Sequence, residues 1–153
     1  MADRHFTYRG GAFPDPCIKT VTYRPEYFDA EIRMESDAFE SLRRANGMEP
    51  ARLDASPPAE LEEIRAFFEK NADSFFFLFT PSGELVGSVL HLGNYIQCLC
   101  VSPGLRRQGW GEKLSMHCVN RILAEGHGQV ELHVMDGNVQ AEKLYRKLGF
   151  REE

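Results

Sequence analysis

Residues 101–114 read Val-Ser-Pro-Gly-Leu-Arg-Arg-Gln-Gly-Trp-Gly-Glu-Lys-Leu. The apolar run that ends at Val101 predicts a buried strand, and Pro103-Gly104 predicts a tight turn. Beyond Gly109-Trp110-Gly111 the apolar residues Leu114, Cys118, Val119, Ile122 and Leu123 recur at helical spacing, so a helix opens at the glycines. Glycine at 109 and 111 lets the main chain approach a bulky anion with no Cβ in the way. The first N–H groups of a helix have no partner within it, and its dipole favours negative charge there by about 0.3–1 kcal/mol. Arg106 and Arg107 add the fixed positive charge a pyrophosphate needs. As physics, the segment is an anion cradle at a strand-to-helix turn; its bland counterpart is a Gly-rich helix start with two solvated arginines. Other phosphate motifs fit less well. No Gly-Lys-Ser/Thr follows, as a P-loop requires, and Leu114 stands where a dinucleotide fingerprint needs its third glycine.

Outward from this turn the chain reads as a single α/β domain. Ile18–Tyr23 alternates as a strand, and Pro25 opens a helix to about Asn46 with Phe28, Ile32, Phe39 and Leu42 inward and Gly47 as the stop. A proline-rich loop over 47–58 leads to a second helix, 58–71, carrying Leu61, Ile64, Phe67 and Phe68 on one face. Ser74–Thr80, the turn Pro81-Ser82-Gly83-Glu84 and Leu85–Leu92 predict a hairpin, and Tyr95–Val101 a third central strand. After the helix of residues 109–125, Val130–Met135 is another strand. Asn138 starts a last helix that turns Ala141, Leu144, Tyr145 and Leu148 inward and stops at Gly149. Residues 1–17, with Gly10-Gly11 and Pro14-Asp15-Pro16, read as an extension outside the periodic pattern, which leaves 18–153 as the domain.

Composition narrows the function. With 153 residues, 42% apolar and 27% charged, the chain has ordinary globular proportions. A net charge of −5 argues against a nucleic-acid partner and favours a cationic or neutral acceptor. The polar start of the chain shows no leader, no apolar run is long enough to span a bilayer, and a cytoplasmic location with reduced thiols is expected. Cys98 and Cys100 lie two apart on one strand and share a face, which makes them awkward to pair; Cys17 and Cys118 complete the set. Cys-x-Cys near His91 lacks a second pair of ligands, so no metal is expected.

Arg106-Arg107-Gln108-Gly109-Trp110-Gly111, led by Val101 and Pro103, resembles the Q/R-x-x-G-x-G/A signature of the GCN5-related N-acetyltransferases. A second block, Asn138-x-x-Ala141-x-x-Leu144-Tyr145-x-x-x-Gly149-Phe150, is similar to the segment that ends those domains, at the family's spacing from the first. The resemblance covers about residues 18–153. It implies a mixed, mostly antiparallel sheet splayed between its fourth and fifth strands, about four flanking helices, and acetyl-CoA as cosubstrate in the gap.

The resemblance also implies roles. The main chain of Leu99, Cys100 and Val101, on a bulged strand, would bind the pantetheine arm. The segment from Arg106 through Gln108, Gly109, Trp110 and Gly111 to Glu112 would wrap the diphosphate, and Asn138 would contact the coenzyme arm. Tyr145 would be the general acid at the thioester sulfur, with direct attack by the amine; otherwise it is a core tyrosine on its helical stripe. An alkylamine with a pKa near 10 must first lose a proton. His133 alternates with Leu132 and Val134, so it faces away from those core residues, and it lies five residues before Asn138. It corresponds to a position where ribosomal-protein acetyltransferases of the family carry a catalytic glutamate. That makes His133 (or water) the expected base, with Glu131 on the same face; a half-exposed strand histidine is the plain alternative. Tyr95 stands where histone-type members carry theirs.

The acidic residues Asp29, Glu31, Glu35, Asp37 and Glu40 read first as a solvated helix face, and second as an attraction for a cationic acceptor. Family members usually run 15 to 30 residues past the matching Gly-Phe and add a last strand, which is missing here. A truncation, a neighbouring subunit in a homodimer, or residues 1–17 would account for that place. The acceptor is an amine, either a small molecule or a protein N-terminus or lysine. The rival reading is a non-catalytic acyl-CoA-binding module with an incomplete acceptor site.

Overall fold

The structure, a computed structural model, describes residues 3–153. Its strands are β1 (Arg4–Tyr8), β2 (Val21–Thr22), β3 (Phe75–Phe79), β4 (Leu85–Leu92), β5 (Tyr95–Val101), β6 (Val130–Val134) and β7 (Arg151–Glu152). The helices are α1 (Phe28–Ala45), α2 (Pro58–Lys70), α3 (Trp110–Ala124) and α4 (Val139–Leu148). All strands form one sheet in the order β2-β3-β4-β5-β6-β1-β7, antiparallel except for the β5–β6 neighbours.

Period-two alternation divides the core between the two faces. Phe75, Phe77 and Leu90 face α1 and α2, where they meet Phe28, Ile32 and Phe68. Phe76, Val86, Val89, Ile96 and Leu132 face α3 and α4, where they meet Leu114, Cys118, Val119 and Ile122. The helix ends follow the expected chemistry: Gly149 takes φ +104° after α4, and the Asn138 side chain accepts from the Ala141 N–H at its start. The first strand is shorter than the alternation over 18–23 predicts. Val21 and Thr22 sit exposed at the sheet edge, with one further bond from the Tyr23 N–H to the Phe75 carbonyl at 2.9 Å.

Residues 4–8 are part of the sheet. β1 pairs antiparallel with β6 over its whole length, from Arg4 opposite Val134 to Tyr8 opposite Val130. On its other side Phe6 and Thr7 pair with Glu152 and Arg151 of β7. Phe6 is fully buried and Tyr8 nearly so. Residues 4–8, read from the sequence as lying outside the domain, thus fill a place between β6 and β7.

Gly87 on β4 shows how closely the central strands are set. A Cβ there would lie 2.6 Å from the Cys100 carbonyl oxygen and 2.9 Å from a Leu114 methyl. Gly87→Ala is expected to destabilise by about 1–3 kcal/mol, because the obstructing atom is backbone. Urea denaturation measures this, and a change below about 0.5 kcal/mol would show that β5 shifts freely.

Candidate active site

The sheet opens between β5 and β6, the fourth and fifth strands counted from Val21. Pairing there is limited to Tyr95 with Glu131 and Ile96 with Leu132. On the β4 side, His91 opposes Ile96 while Leu90 opposes Cys98, so Gln97 is an extra, bulged residue. Past the bulge β5 keeps β4 on one side and has no strand on the other, which leaves a free edge over Leu99, Cys100 and Val101. These three residues line a cavity of about 910 Å³. Its other walls are α1 (Ala38, Phe39, Leu42), the turn from Leu105 to Glu112, and the first turns of α4 with Asn138 and Tyr145.

The turn is built as a cradle. Arg107 holds φ +65° and Gly109 φ +85°, positions that swing successive N–H groups toward one side. Among the described residues, no hydrogen bond is donated by a main-chain N–H of residues 106–112; the first helical bond there is Lys113 N–H to the Gly109 carbonyl. The side chains are largely tied back. Arg106 donates to the Ala38 carbonyl at 3.2 Å, the Trp110 indole donates to Gln108 at 3.2 Å, and Lys147 pairs with Glu112 at 2.9 Å. Arg106, Arg107, Gly109, Trp110, Gly111 and Glu112 line the cavity; Gln108 does not.

Tyr145 comes from the buried stripe of α4 and is 5% exposed, yet it lines the cavity. Its ring meets Phe150 edge-on at 5.3 Å. Burial, reinforced by the neighbouring Cys98 and Cys118 thiols and partly offset by the Ser115 hydroxyl, pushes its phenol well above the ordinary tyrosine range. A phenol so placed stays protonated at neutral pH and has a proton to give. Asn138 lines the cavity as well, with its side-chain oxygen engaged in capping α4 at 3.2 Å.

His133 is not brought to the cavity lining. It faces away from Leu132 and Val134, is exposed, and its Nδ1 lies 2.9 Å from the Tyr95 hydroxyl. Its ring meets that of His5 on β1 at 4.9 Å, and His5 in turn bonds Glu131 at 2.9 Å. Asn94 and His5 hold the Glu131 carboxyl below the usual range. His91 is buried at the β4–β5 hairpin with Nδ1 2.9 Å from the Gly93 carbonyl. His117 is half-buried against Phe76, and that burial lowers its pKa.

The pattern of a split sheet, a cradle of free amides and these two motifs has a counterpart among known proteins. A family model described as "Acetyltransferase (GNAT) family" matches residues 36–150. The chain belongs to this family. It is 34% identical over 93 residues to a peptidyl-lysine N-acetyltransferase, YjaB, of Salmonella typhimurium, a match spanning 61% of this chain and 60% of that protein. Over 54 residues it is 35% identical to a ribosomal-protein alanine N-acetyltransferase of Haemophilus ducreyi, spanning 35% of this chain and 37% of that one. The crystal structure of a GCN5-related N-acetyltransferase from Sphaerobacter thermophilus superposes with a TM-score of 0.72 at 20% identity, over 99% of this chain and 48% of the other. The chain therefore spans about half of that structure and three-fifths or less of these relatives.

The GNAT chain departs from the sequence reading most clearly on α1. Asp29 and Asp37 are solvated, but Glu31 is fully buried and Glu35 is 8% exposed. The signal was in the spacing. Phe28, Ile32 and Phe39 define the inward stripe, and 31 and 35 fall on it. Among the described residues, no group of three or more His, Cys, Asp or Glu side chains is placed to hold a metal ion, and no helix is long and apolar enough to cross a membrane.

Proposed function

We propose that the chain is an N-acetyltransferase that moves an acetyl group from acetyl-CoA to a primary amine by direct attack. The observation that carries this reading is the row of unengaged main-chain amides between Arg107 and Glu112 at the mouth of the split sheet. A diphosphate fits them by charge and by hydrogen-bonding capacity. The free edge of Leu99–Val101 suits the amides of a pantetheine arm, which can add to it as a strand would.

In this reading Tyr145 donates its proton to the departing sulfur as the carbon–sulfur bond breaks. A phenol is protonated at neutral pH and so has that proton to give. His133 or water is the base suggested by the sequence, and from outside the lining His133 would act through water. The acceptor is an amine; the relatives' names include a lysine side chain and a protein N-terminal alanine. The rival, a non-catalytic binding module, drew on a missing strand, and β1 occupies a place between β6 and β7.

Thiol release from acetyl-CoA, followed with a lysine peptide, a peptide with a free N-terminus, spermidine and an aminoglycoside, tests the proposal. Amine-dependent release with at least one acceptor is expected. Saturable coenzyme binding with no release for any of them would favour the module.

A further inference from the structure

The cavity inverts the sign of the chain. Against a net charge of −5 overall, its lining holds, among the described residues, four cationic side chains and one carboxylate: Arg106, Arg107, Lys143 and Lys147 against Glu112. Two of the four are engaged. Arg106 donates to the Ala38 carbonyl, and Lys147 pairs with Glu112 at 2.9 Å. Among the described residues, Arg107 and Lys143 make no hydrogen bond and no ion pair, and both are exposed.

The helical repeat of α4 brings its own cation to the cradle. Val139, Lys143 and Lys147 follow at intervals of four and form one stripe, and all three line the cavity. The Lys147–Glu112 pair ties the far end of that stripe to the first turn of α3, beside the free amides. It also neutralises the one lining carboxylate that would repel a phosphate. Lys143 lies a turn nearer Asn138, roughly 6 Å along the stripe, with its charge unmatched. One turn further still, Val139 is 54% exposed and offers an apolar surface at the start of α4. An apolar face next to an ammonium group suits a purine whose ribose carries a phosphate. Arg107 comes from the adjoining wall, on the turn where its φ of +65° helps to form the cradle.

The main-chain amides of the cradle already offer a diphosphate its donors, so these two cations are not needed for it. A phosphomonoester asks for more. Near neutral pH it carries a charge of about −1.5 to −2 on three acceptor oxygens, and paired Lys and Arg side chains are the groups that meet it.

We propose that Arg107 and Lys143 together hold the 3′-phosphate on the ribose of coenzyme A, so that the site selects the complete coenzyme over its otherwise identical dephospho form. This rests on the transferase reading above and adds to it a second phosphate site, built from side chains where the cradle is built from main chain. No bond is made or broken there; the pair acts on affinity and on the choice of donor.

Calorimetry of coenzyme A against dephospho-coenzyme A, which lacks only that phosphate, tests the assignment on the full chain without turnover. At low ionic strength, where exposed charges are least screened, coenzyme A is expected to bind about tenfold tighter or more, the effect of one or two charge-assisted hydrogen bonds. Lys143→Ala and Arg107→Asn should each cut that preference to about threefold or less, with dephospho-coenzyme A held within about twofold of its wild-type affinity. Asparagine is chosen at 107 because it tolerates the left-handed backbone there. Lys143→Arg, which keeps the charge, should keep the preference. Lys143 is exposed and unpaired, so its replacement leaves the fold intact. Equal binding of the two coenzymes by the wild type, or variants that weaken both alike, would overturn the proposal while leaving the transferase reading in place. Failure to bind either coenzyme refutes the reading beneath it.

Discussion

Tyr145→Phe is expected to lower kcat by about 10²–10⁴ while leaving acetyl-CoA affinity within about twofold. The ring supplies packing against Phe150 and the α4 stripe, and phenylalanine keeps that contact. What is lost is the hydroxyl, a protonated phenol at the cavity wall. An acid assists most when the leaving group is a strong base, so the deficit should shrink for thioesters whose thiols are more acidic than that of coenzyme A. Steady-state rates with acetyl-CoA and with an activated aryl thioacetate measure this directly. Equal deficits with both, or no deficit, would remove Tyr145 from the chemistry and leave it as a core tyrosine.

Phe6→Ala carries the largest expected effect on stability, about 3–5 kcal/mol against a total of roughly 5–15 for a domain of this kind. The side chain is wholly buried, opposite Leu132 on β6, and guanidinium groups of Arg4 and Arg146 lie over its ring at 5.8 and 5.0 Å. Among the described residues β7 pairs only with β1, so loosening β1 releases the end of the sheet as well. Urea denaturation of Phe6→Ala beside Val139→Ala, an exposed control, gives the comparison. A cost near that of the control would mean that β1 rests on the domain without helping to hold it.

Those two residues mark where the sequence was and was not legible. Tyr145 belongs to a block whose helix signals agree: an asparagine cap, apolar spacing of three and four, and a terminal glycine. The cradle was legible for the same reason, since its glycines, its arginines and the apolar stripe after it all point to one turn. β1 was not. Its inward aromatics are Phe6 and Tyr8, separated by Thr7 and bounded by His5 and Arg9, and two alternate aromatics do not distinguish a strand from a tail. Pairing with β6 across more than 120 positions supplies what the segment lacks locally. Glu31 and Glu35 were misread through their charge: the helical stripe placed them inward, yet carboxylates are rarely buried without a partner. That conflict between local chemistry and tertiary position is what singles them out.

Calorimetry of acetyl-CoA against S-acetylpantetheine, which ends before the diphosphate, tests most directly whether the amides of residues 107–112 hold that group. Saturable acetyl-CoA binding, at least tenfold tighter than S-acetylpantetheine, is the predicted result. Equal affinities, or no binding of acetyl-CoA, would contradict it.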